Sequence, residues 1–415
     1  MITNTTKIKI LHTSDWHLGR SLYDRKRYDE FGLFLDWLAE FIQIQQIDIL
    51  LVAGDIFDTT TPGNRAQELY YRFLTKASRS CVRHIVITGG NHDSPSFLNA
   101  PKELLRFFNV YVIGSKTEST EDEVIILRDK SQTIEAIICA VPYLRDKDIR
   151  TVEAGEKLED KNSKLMAGIS AHYATTGEIA VSKRNGNSTI PIIGMGHLFA
   201  AGGKTSEGDG VRELYVGGAA LVNENSFPEC FDYLALGHLH SPQKVGNSEH
   251  KRYCGSPIPM SFGEAEQEKK VIVIEFDGRK PEITEHPIPC FQQLKRVKGD
   301  ATEISSTLFE MKAAGSNAWL EIDYTGSEAF AGLNELVLEA ISETGMELLR
   351  TRTRLSYGKS LTQINEQETL DNLDPGEVFT RCLDAYQLEE PERTSLRLAY
   401  DEIIMSMGEN DRNAE

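Results

Sequence analysis

Histidines stand at the end of an apolar run in the stretch "YLALGHLHSP" of this 415-residue chain. Four apolar residues lead into a glycine and then into His238 and His240. In an extended chain, residues two apart lie on the same side. Imidazole is a common metal ligand, but a histidine at a strand end is also often solvated or bonded within the core. The pair alone therefore leaves metal binding and a structural role both open.

Four further apolar runs end in polar clusters of the same kind. Each cluster alone could be a turn or a helix cap. Loops at the carboxyl ends of parallel strands meet at one edge of an α/β sheet, so residues far apart in sequence are expected to converge there. Five such clusters favour a binding site over turn chemistry. The other four are "SDWH" with Asp15 and His17, "GDIFD" with Asp55 and Asp58, "GGNHD" with Asn91, His92 and Asp93, and "GMGH" with His197.

The clusters offer imidazole nitrogens with carboxylate and amide oxygens, but no thiolate. This donor set suits Mn²⁺, Fe or Mg²⁺-like ions better than structural zinc. Two such ions can hold a phosphate oxygen, activate a shared water and stabilise an in-line displacement at phosphorus. A carboxylate that follows a strand could bridge both ions, and we expect Asp55 to do so. The residues therefore predict a dinuclear phosphoesterase.

The elements that position these clusters alternate between apolar runs and amphipathic segments such as "YDEFGLFLDWLAEFIQIQ". This alternation predicts an α/β sandwich with helices on both faces. After Pro289 the pattern changes to a smaller strand–helix–strand–helix–strand unit. A polar linker then leads to two short amphipathic helices.

Composition limits the compartment and the partners. The six cysteines are scattered without a CxxC pair, which favours reduced thiols in a cytoplasm. No apolar run approaches the length of a membrane span, so no membrane is expected. A net charge of −18 counts against binding a polyanion, but the last 50 residues contain 14 acids and four bases and carry most of that charge. Nucleic acid therefore remains a candidate partner.

The motifs resemble the calcineurin-like metallophosphoesterases, whose DxH, GDxxD, GNH[DE], GH and GHxH motifs occur here in that order. Within that family, "DWHLGR", "LGHLHSPQ" and "YCGSPIPMSFGE" are similar to bacterial nuclease subunits that work with an SMC-like coiled-coil ATPase. The resemblance implies a four-layer α/β sandwich with a smaller α+β capping domain and C-terminal helices. The implied boundaries are 1–286 for the nuclease domain, 287–358 for the capping, DNA-contacting domain, and 359–415 for the acidic linker and partner-binding helices.

The resemblance also implies a role for each motif residue. His92 matches the catalytic histidine, which would donate a proton to the leaving oxygen or steady the phosphate. Some relatives carry a histidine at the place of Asp58, and here we expect Asp58 to hydrogen-bond and orient His92. His172, in an apparent helix, competes with His197 but lacks a preceding strand and glycine. One ion would be bound by Asp15, His17, Asp55 and His240, and the other by Asp55, Asn91, His197 and His238.

The implied function is a DNA nuclease that uses two Mn²⁺ ions, with Mg²⁺ as the alternative. With the ATPase it would be an ATP-dependent 3′–5′ double-strand exonuclease and single-strand endonuclease that opens hairpins in replication, recombination and repair. A homodimer within a heterotetramer is expected. Arg350, Arg352 and Arg354 alternate along a predicted strand and are expected to contact DNA phosphate or the ATPase, unless they are simply a solvated strand face.

Two other functions fit parts of the sequence. The first is a stand-alone phosphoesterase acting on small phosphodiesters or phosphoproteins, but such a substrate needs neither the second domain nor the terminal helices. The second is a non-catalytic scaffold on the same fold, but a scaffold needs neither seven ligands nor His92.

We predict that the terminal helices dock the ATPase and are dispensable for the chemistry. Asp374, Pro375 and Glu377 form a good helix start, and the apolar stripes that follow must be buried against something. A chain truncated after Gln367 should remain soluble and retain metal-dependent nuclease activity, while losing co-purification with the ATPase. An insoluble truncated chain would show that the helices pack on their own domain, and retained binding would place the docking surface elsewhere.

Overall fold

The computed structural model describes residues 7–149, 158–200, 222, 224–326 and 332–353, and the single positions 383, 393 and 396. The structural statements below concern these residues. Apart from those three single positions, the predicted terminal helices, the linker before them and Arg354 lie outside the described residues, so what the sequence predicts for them stays a prediction.

The described ranges contain both strands and helices, and none of the described helices is both long and apolar enough to cross a membrane. The strands are β1 (Ile8–Thr13), β2 (Ser21–Leu22), β3 (Arg25–Lys26), β4 (Ile49–Ala53), β5 (His84–Thr88), β6 (Val110–Ile113), β7 (Val124–Arg128), β8 (Ile134–Ala140), β9 (Ile192–His197), β10 (Tyr233–Gly237), β11 (Gln243–Lys244), β12 (Lys251–Tyr253), β13 (Lys270–Asp277), β14 (Lys280–Pro287), β15 (Leu294–Gly299), β16 (Trp319–Tyr324) and β17 (Glu347–Thr353). The helices are α1 (Tyr28–Gln45), α2 (Asn64–Ser78), α3 (Pro95–Asn99), α4 (Lys102–Arg106), α5 (Asp146–Ile149), α6 (Leu158–Lys183), α7 (Ala301–Ala313) and α8 (Leu333–Ala340).

Two six-stranded mixed sheets form the centre of the fold. The first has the order β14-β13-β1-β4-β5-β6, and β1, β4, β5 and β6 are parallel. The second has the order β11-β12-β10-β9-β8-β7, and β8, β9, β10 and β12 are parallel. The carboxyl ends of the parallel strands therefore lie along one edge of each sheet, where the predicted clusters begin.

The two sheets pack face to face, with helices on both outer faces. Leu51 and Val86 of the first sheet share a buried cluster with Ile138, Met195 and Ala235 of the second. Helices α1 and α2 cover the outer face of the first sheet, and α6 covers that of the second. The result is a helix–sheet–sheet–helix sandwich of four layers, which confirms the predicted fold.

Trp16 anchors the loop after β1 in the core. Its side chain is fully buried, and its indole nitrogen donates a hydrogen bond to Thr13 Oγ1 at 3.0 Å. The ring lies edge-on to Phe34 of α1 and Phe73 of α2, with centroids 6.1 and 5.3 Å away. Burying a large side chain of this kind stabilises the fold by roughly 1.5–3 kcal/mol. The loop that carries Asp15 and His17 is therefore held by packing against both helices.

The smaller unit after β14 has its own core. Strands β15, β16 and β17 are parallel, and α7 and α8 bury Ile304, Leu308 and Val337 against them. A capping box begins α7, because Asp300 accepts from the Glu303 backbone N–H and Glu303 accepts from that of Asp300, both at 2.9 Å. The predicted strand–helix–strand–helix–strand order is confirmed. This unit and the sandwich belong to one compact unit, Met1–Tyr324 with Phe330–Thr353.

A hairpin from the sandwich contacts this smaller unit. Strands β2 and β3 are joined by Tyr23 and Asp24, whose φ angles of 46° and 64° are those of a two-residue hairpin turn. The Tyr23 ring stacks on Phe262, with centroids 5.9 Å apart and planes 20° from parallel. Arg350 Nη1 of β17 donates to the Tyr23 hydroxyl at 2.6 Å. The hairpin that follows the first motif thus reaches the last strand of the smaller unit.

The arginine prediction is only partly tested. Arg350 and Arg352 both lie in β17, two residues apart and so on one face of the strand. The guanidinium of Arg350 lies 5.0 Å from the centroid of the Tyr23 ring, so this arginine is engaged within the chain. Contact with DNA or a partner stays a prediction for Arg350, Arg352 and Arg354.

Candidate metal centre

The five predicted clusters meet where the carboxyl ends of the two sheets adjoin. The loops after β1, β4 and β5 come from the first sheet, and the ends of β9 and β10 come from the second. The motif loops approach one another so closely that two of their positions require glycine. A Cβ on Gly54 would lie 2.2 Å from His197 Nδ1, and one on Gly90 would lie 2.1 Å from Asp55 Oδ1. Glycines at these positions let side chains from different strands converge.

The first two motif loops are paired through their backbones. The N–H of Asp15 donates to Gly54 O at 3.0 Å, and the N–H of His17 donates to Asp55 O at 2.9 Å. Leu18 continues this pairing with a 2.9 Å bond to Ile56 O. The pairing fixes the spacing between the side chains of the two loops.

Four of the candidate ligands have a left-handed backbone conformation. The φ angles are 53° at Asp15, 46° at His17, 50° at Asp55 and 103° at His238. For residues other than glycine, such a conformation costs about 1–3 kcal/mol each and persists where the surroundings enforce it. Strain of this kind is concentrated at functional sites, and here all four strained residues are candidate ligands.

One group of ligand atoms comes from Asp15, His17 and His240, all buried and within 4.8 Å of one another. The Nε2 atoms of His17 and His240 are 3.2 Å apart. The Nδ1 atom of His240 lies 3.3 Å from Glu264 Oε1, which directs Nε2 toward the group. Burial lowers the pKa of His17 to about 4, so its ring is neutral at physiological pH and keeps a lone pair for coordination.

A second group lies on the other side of Asp55. His197 Nε2 lies 2.9 Å from Asn91 Oδ1 and 3.3 Å from Asp55 Oδ2. His238 Nδ1 lies 3.3 Å from the same Asn91 oxygen. Asp55 Oδ2 is also 3.5 Å from His17 Nε2 of the first group. One carboxylate oxygen of Asp55 therefore faces a histidine from each group, as expected for a bridging ligand.

The environment of His197 shows that these residues fit a bound cation. Its Nδ1 lies 3.0 Å from Ala53 O, which requires the proton on Nδ1 and leaves a lone pair on Nε2. That lone pair faces acceptor oxygens of Asn91 and Asp55, so the three atoms repel unless a positive centre lies between them. Burial disfavours a charged ring, but the neighbouring Asp55 raises the pKa of His197 to about 9. A divalent cation in place of that proton would satisfy all three atoms.

His92 lies beside both groups and is held from two directions. Its backbone N–H donates to Asp55 Oδ1 at 2.9 Å, and its Nδ1 donates to the backbone carbonyl of Asp58 at 2.9 Å. Its ring centroid is 4.8 Å from that of His17. With Nδ1 engaged, Nε2 is the atom through which His92 can exchange a proton.

Comparison with known proteins places this centre in a family. The family described as "Calcineurin-like phosphoesterase" matches residues 8–242, and that described as "Type 5 capsule protein repressor C-terminal domain" matches residues 290–387. The SbcD subunit of nuclease SbcCD from Escherichia coli K12 is 35% identical over 393 residues, 94% of this chain and 96% of that protein. The chain belongs to the SbcD family of calcineurin-like phosphoesterases. The SbcD subunits of Rhodobacter capsulatus and Bacillus subtilis are 36% and 32% identical, covering 65% and 76% of this chain and 67% and 78% of their own.

In this SbcD-family chain, Asp58 does hydrogen-bond to His92, but through its backbone carbonyl. Its side chain does not orient His92, because the backbone carbonyl of Asp58 accepts that bond. The carboxylate instead lies 3.4 Å from His17 Nδ1 and 3.1 Å from Arg20 Nη1. Burial alone would raise the pKa of Asp58, but His17 and Arg20 lower it to about 2. The family resemblance predicted that Asp58 and His92 are neighbours, but it could not predict which atom of Asp58 makes the contact.

Two further buried carboxylates support the centre and were given no role from the sequence. Asp93 accepts backbone N–H bonds from Ile56, Phe57 and Gly90 at 2.8–3.1 Å, and so ties the second motif loop to the third. Glu264 contacts His240. Their only sequence signals were their places in "GGNHD" and "SFGE".

Of the two histidines considered for the fourth motif, His197 lies at the candidate metal centre and His172 does not. His197 ends β9 among the candidate ligands. His172 lies in α6, where its Nε2 contacts Glu123 Oε2 at 2.6 Å. His12 is buried and its Nδ1 lies 3.0 Å from the Tyr233 hydroxyl, so this histidine is engaged within the core.

We predict that Asp58→Ala acts mainly through His17. Loss of a group that orients a ligand typically weakens metal affinity about ten- to a hundredfold. The Mn²⁺ concentration that gives half-maximal hydrolysis of a phosphodiester substrate should therefore rise by such a factor. The hydrolysis rate at saturating Mn²⁺ should fall less than in His92→Ala. Asp36→Ala, which removes a surface carboxylate paired with Lys76, is the control and should leave both quantities unchanged. A fall in the saturated rate as large as that of His92→Ala, with unchanged Mn²⁺ dependence, would contradict this role.

Proposed function

We propose that this chain is the nuclease subunit of an SbcCD-type complex and hydrolyses DNA phosphodiester bonds with two divalent metal ions. The main observation in support is the position of Asp55 Oδ2, which faces His17 of one group and His197 of the other. The enzyme class is that of a metal-dependent nuclease, a hydrolase, which the family and the names of its members support.

We propose that each of the two groups around Asp55 binds one metal ion. Mn²⁺ is the proposed ion, with Mg²⁺ as the alternative, because the donors are oxygen and imidazole nitrogen. When bound, two such ions polarise a phosphate oxygen and lower the pKa of a water. The first ion would be held by Asp15, His17, Asp55 and His240, and the second by Asp55, Asn91, His197 and His238.

The protein's own contribution is placement and proton transfer. His92 is fixed by Asp55 Oδ1 at its backbone and by the Asp58 carbonyl at Nδ1. Its Nε2 would donate a proton to the oxygen that leaves phosphorus, a step that typically contributes about 10²–10⁴ in rate.

The proposals for the substrate and the partner are based on the match along most of the chain. It covers 96% of the Escherichia coli protein, whose name gives it as one subunit of a complex. With the SMC-like coiled-coil ATPase SbcC, we propose ATP-dependent 3′–5′ double-strand exonuclease and single-strand endonuclease activity. This activity would open hairpins and DNA ends in replication, recombination and repair. The cytoplasm is the proposed location, since the five described cysteines are free and the substrate is DNA.

We also propose the domain division expected from the sequence. The sandwich ends with β14 at Pro287, close to the proposed boundary of 1–286. The capping domain, 287–358, would contact DNA, and its described part has a separate hydrophobic core. The segment 359–415 would bind the ATPase.

The nuclease proposal is tested by measuring bound manganese and DNA cleavage on the same preparations, with and without the ATPase and ATP. We expect two Mn²⁺ per chain and cleavage of linear duplex and single-stranded DNA. His92→Asn should keep both ions and lose about 10²–10⁴ in rate. Asp55→Ala should lose ions as well, because both groups use this carboxylate.

Two outcomes would contradict these assignments. A His92→Asn chain without metal would make His92 a ligand. Hydrolysis of a chromogenic phosphodiester with no cleavage of DNA under any condition would favour the stand-alone phosphoesterase.

We predict a homodimer formed through the helices that follow the second and third motifs. Leu104, Phe107 and Phe108, in and directly after α4, are 64%, 88% and 57% exposed, an unusual amount of apolar surface for one short segment. Light scattering at micromolar concentration should give twice the 46.5 kDa chain mass, and Phe107→Asp should give a monomer. Phe309→Asp, at a 73% exposed phenylalanine on α7, is the matched control and should stay dimeric. A monomeric wild-type chain would rule out this interface.

A further inference from the structure

A buried ion pair lies directly behind His240. Glu264 and Lys269 are 0% and 4% exposed, and Lys269 Nζ donates to Glu264 Oε2. The other carboxylate oxygen, Glu264 Oε1, lies 3.3 Å from His240 Nδ1. Lys269 Nζ also donates to the backbone carbonyl of His240 at 3.0 Å. The pair therefore holds both the ring and the backbone of one candidate ligand.

The hydrogen bonds of Glu264 leave it little freedom to move. Its Oε2 accepts from the backbone N–H of Met260 at 3.1 Å and from the hydroxyl of Ser256 at 3.3 Å. Lys269 Nζ donates to the same hydroxyl at 3.0 Å. Because all of these groups belong to the segment between β12 and β13, that segment forms a rigid cradle for one carboxylate.

Stability alone does not account for a pair placed here. Burying two charges costs several kcal/mol of desolvation per ion, so replacing a buried pair by apolar residues of similar volume is often neutral or stabilising. What an apolar pair could not supply is an acceptor for the proton on His240 Nδ1. That proton position leaves the lone pair on Nε2, 3.2 Å from His17 Nε2 in the candidate metal group.

The second metal group uses a different support. There the proton on His197 Nδ1 is held by the backbone carbonyl of Ala53, at 3.0 Å. A backbone carbonyl cannot be altered by a side-chain substitution, whereas Glu264 can. The two positions are therefore experimentally separable.

We propose that Glu264, held in place by Lys269, is a positioning residue that fixes the tautomer and orientation of His240 and thereby sets the affinity for the divalent cation bound by Asp15, His17 and His240. The inference rests on the proposed function only in taking these groups as metal ligands.

The test compares Mn²⁺ binding by the full-length wild-type chain and by Glu264→Gln. This substitution keeps the size of the side chain but replaces the carboxylate by an amide. We expect one of the two Mn²⁺ ions to bind about ten- to a hundredfold more weakly and the other to bind as in the wild type. Electron paramagnetic resonance at intermediate Mn²⁺ should then show the signal of an isolated ion where the wild type shows that of a coupled pair.

The matched control is Glu123→Gln. Glu123 is also fully buried and contacts a buried histidine, His172, but lies outside the metal centre. This variant should bind both ions as the wild type does, whatever happens to its melting temperature without metal. A merely structural role for Glu264 predicts that both variants melt earlier and that neither changes Mn²⁺ affinity, and this result would overturn the proposal.

The double variant Glu264→Gln with Lys269→Met covers the case in which Glu264→Gln alone fails to fold. Removing the lysine avoids an unpaired buried ammonium, so this variant should fold and still bind one ion weakly. Wild-type affinity for both ions in the double variant would overturn the proposal. A wild-type chain that binds no Mn²⁺ would instead contradict the proposed function, so the two failures are distinguishable.

Discussion

The geometry of the metal centre depends on the backbone pairing between the first two motif loops. Three consecutive hydrogen bonds, from Asp15, His17 and Leu18 to the loop after β4, continue the parallel pairing of β1 and β4 beyond the ends of the strands. This pairing holds residues in left-handed conformations that an isolated loop would leave. The energy that maintains the strained ligand positions thus comes from ordinary sheet hydrogen bonds and from the packing of Trp16.

Two buried carboxylates next to the candidate ligands, Asp93 and Glu264, are surrounded by hydrogen-bond donors. Asp93 is surrounded by three backbone N–H groups, although burial raises its pKa to about 7. Burial would likewise raise the pKa of Glu264, but Lys269 and then His240 lower it to about 2. Each carboxylate is satisfied by donors fixed on neighbouring loops, which is the condition for placing charge in a core. The ligands therefore sit in a framework whose own polar groups are already paired.

Much of the fold and of the candidate site was predictable because their signals are local. Apolar runs ending in Asp, Asn or His gave the strands and the cluster residues, and alternation gave the strand of Arg350 and Arg352. The contact of His92 with the carbonyl rather than the carboxylate of Asp58 was not predictable, because residue type does not encode which atom of a neighbour is in reach. The contact of Glu264 with His240 spans 24 residues and depends on how the segment after β12 folds back. Tyr23 meeting Arg350 likewise joins elements 327 residues apart.

Because the ligand atoms come from both sheets, a bound cation would link the two halves of the sandwich. His197 ends a strand of the second sheet and His238 and His240 follow another, whereas Asp15, His17, Asp55 and Asn91 follow strands of the first. Unfolding that separates the sheets must release the ions, so metal concentration contributes directly to the free energy of unfolding. At a free concentration one hundred times the dissociation constant, each such site adds about 2.7 kcal/mol. Because native proteins are typically stable by only about 5–15 kcal/mol, the cofactor would then be a structural component of the sandwich as well as a reagent.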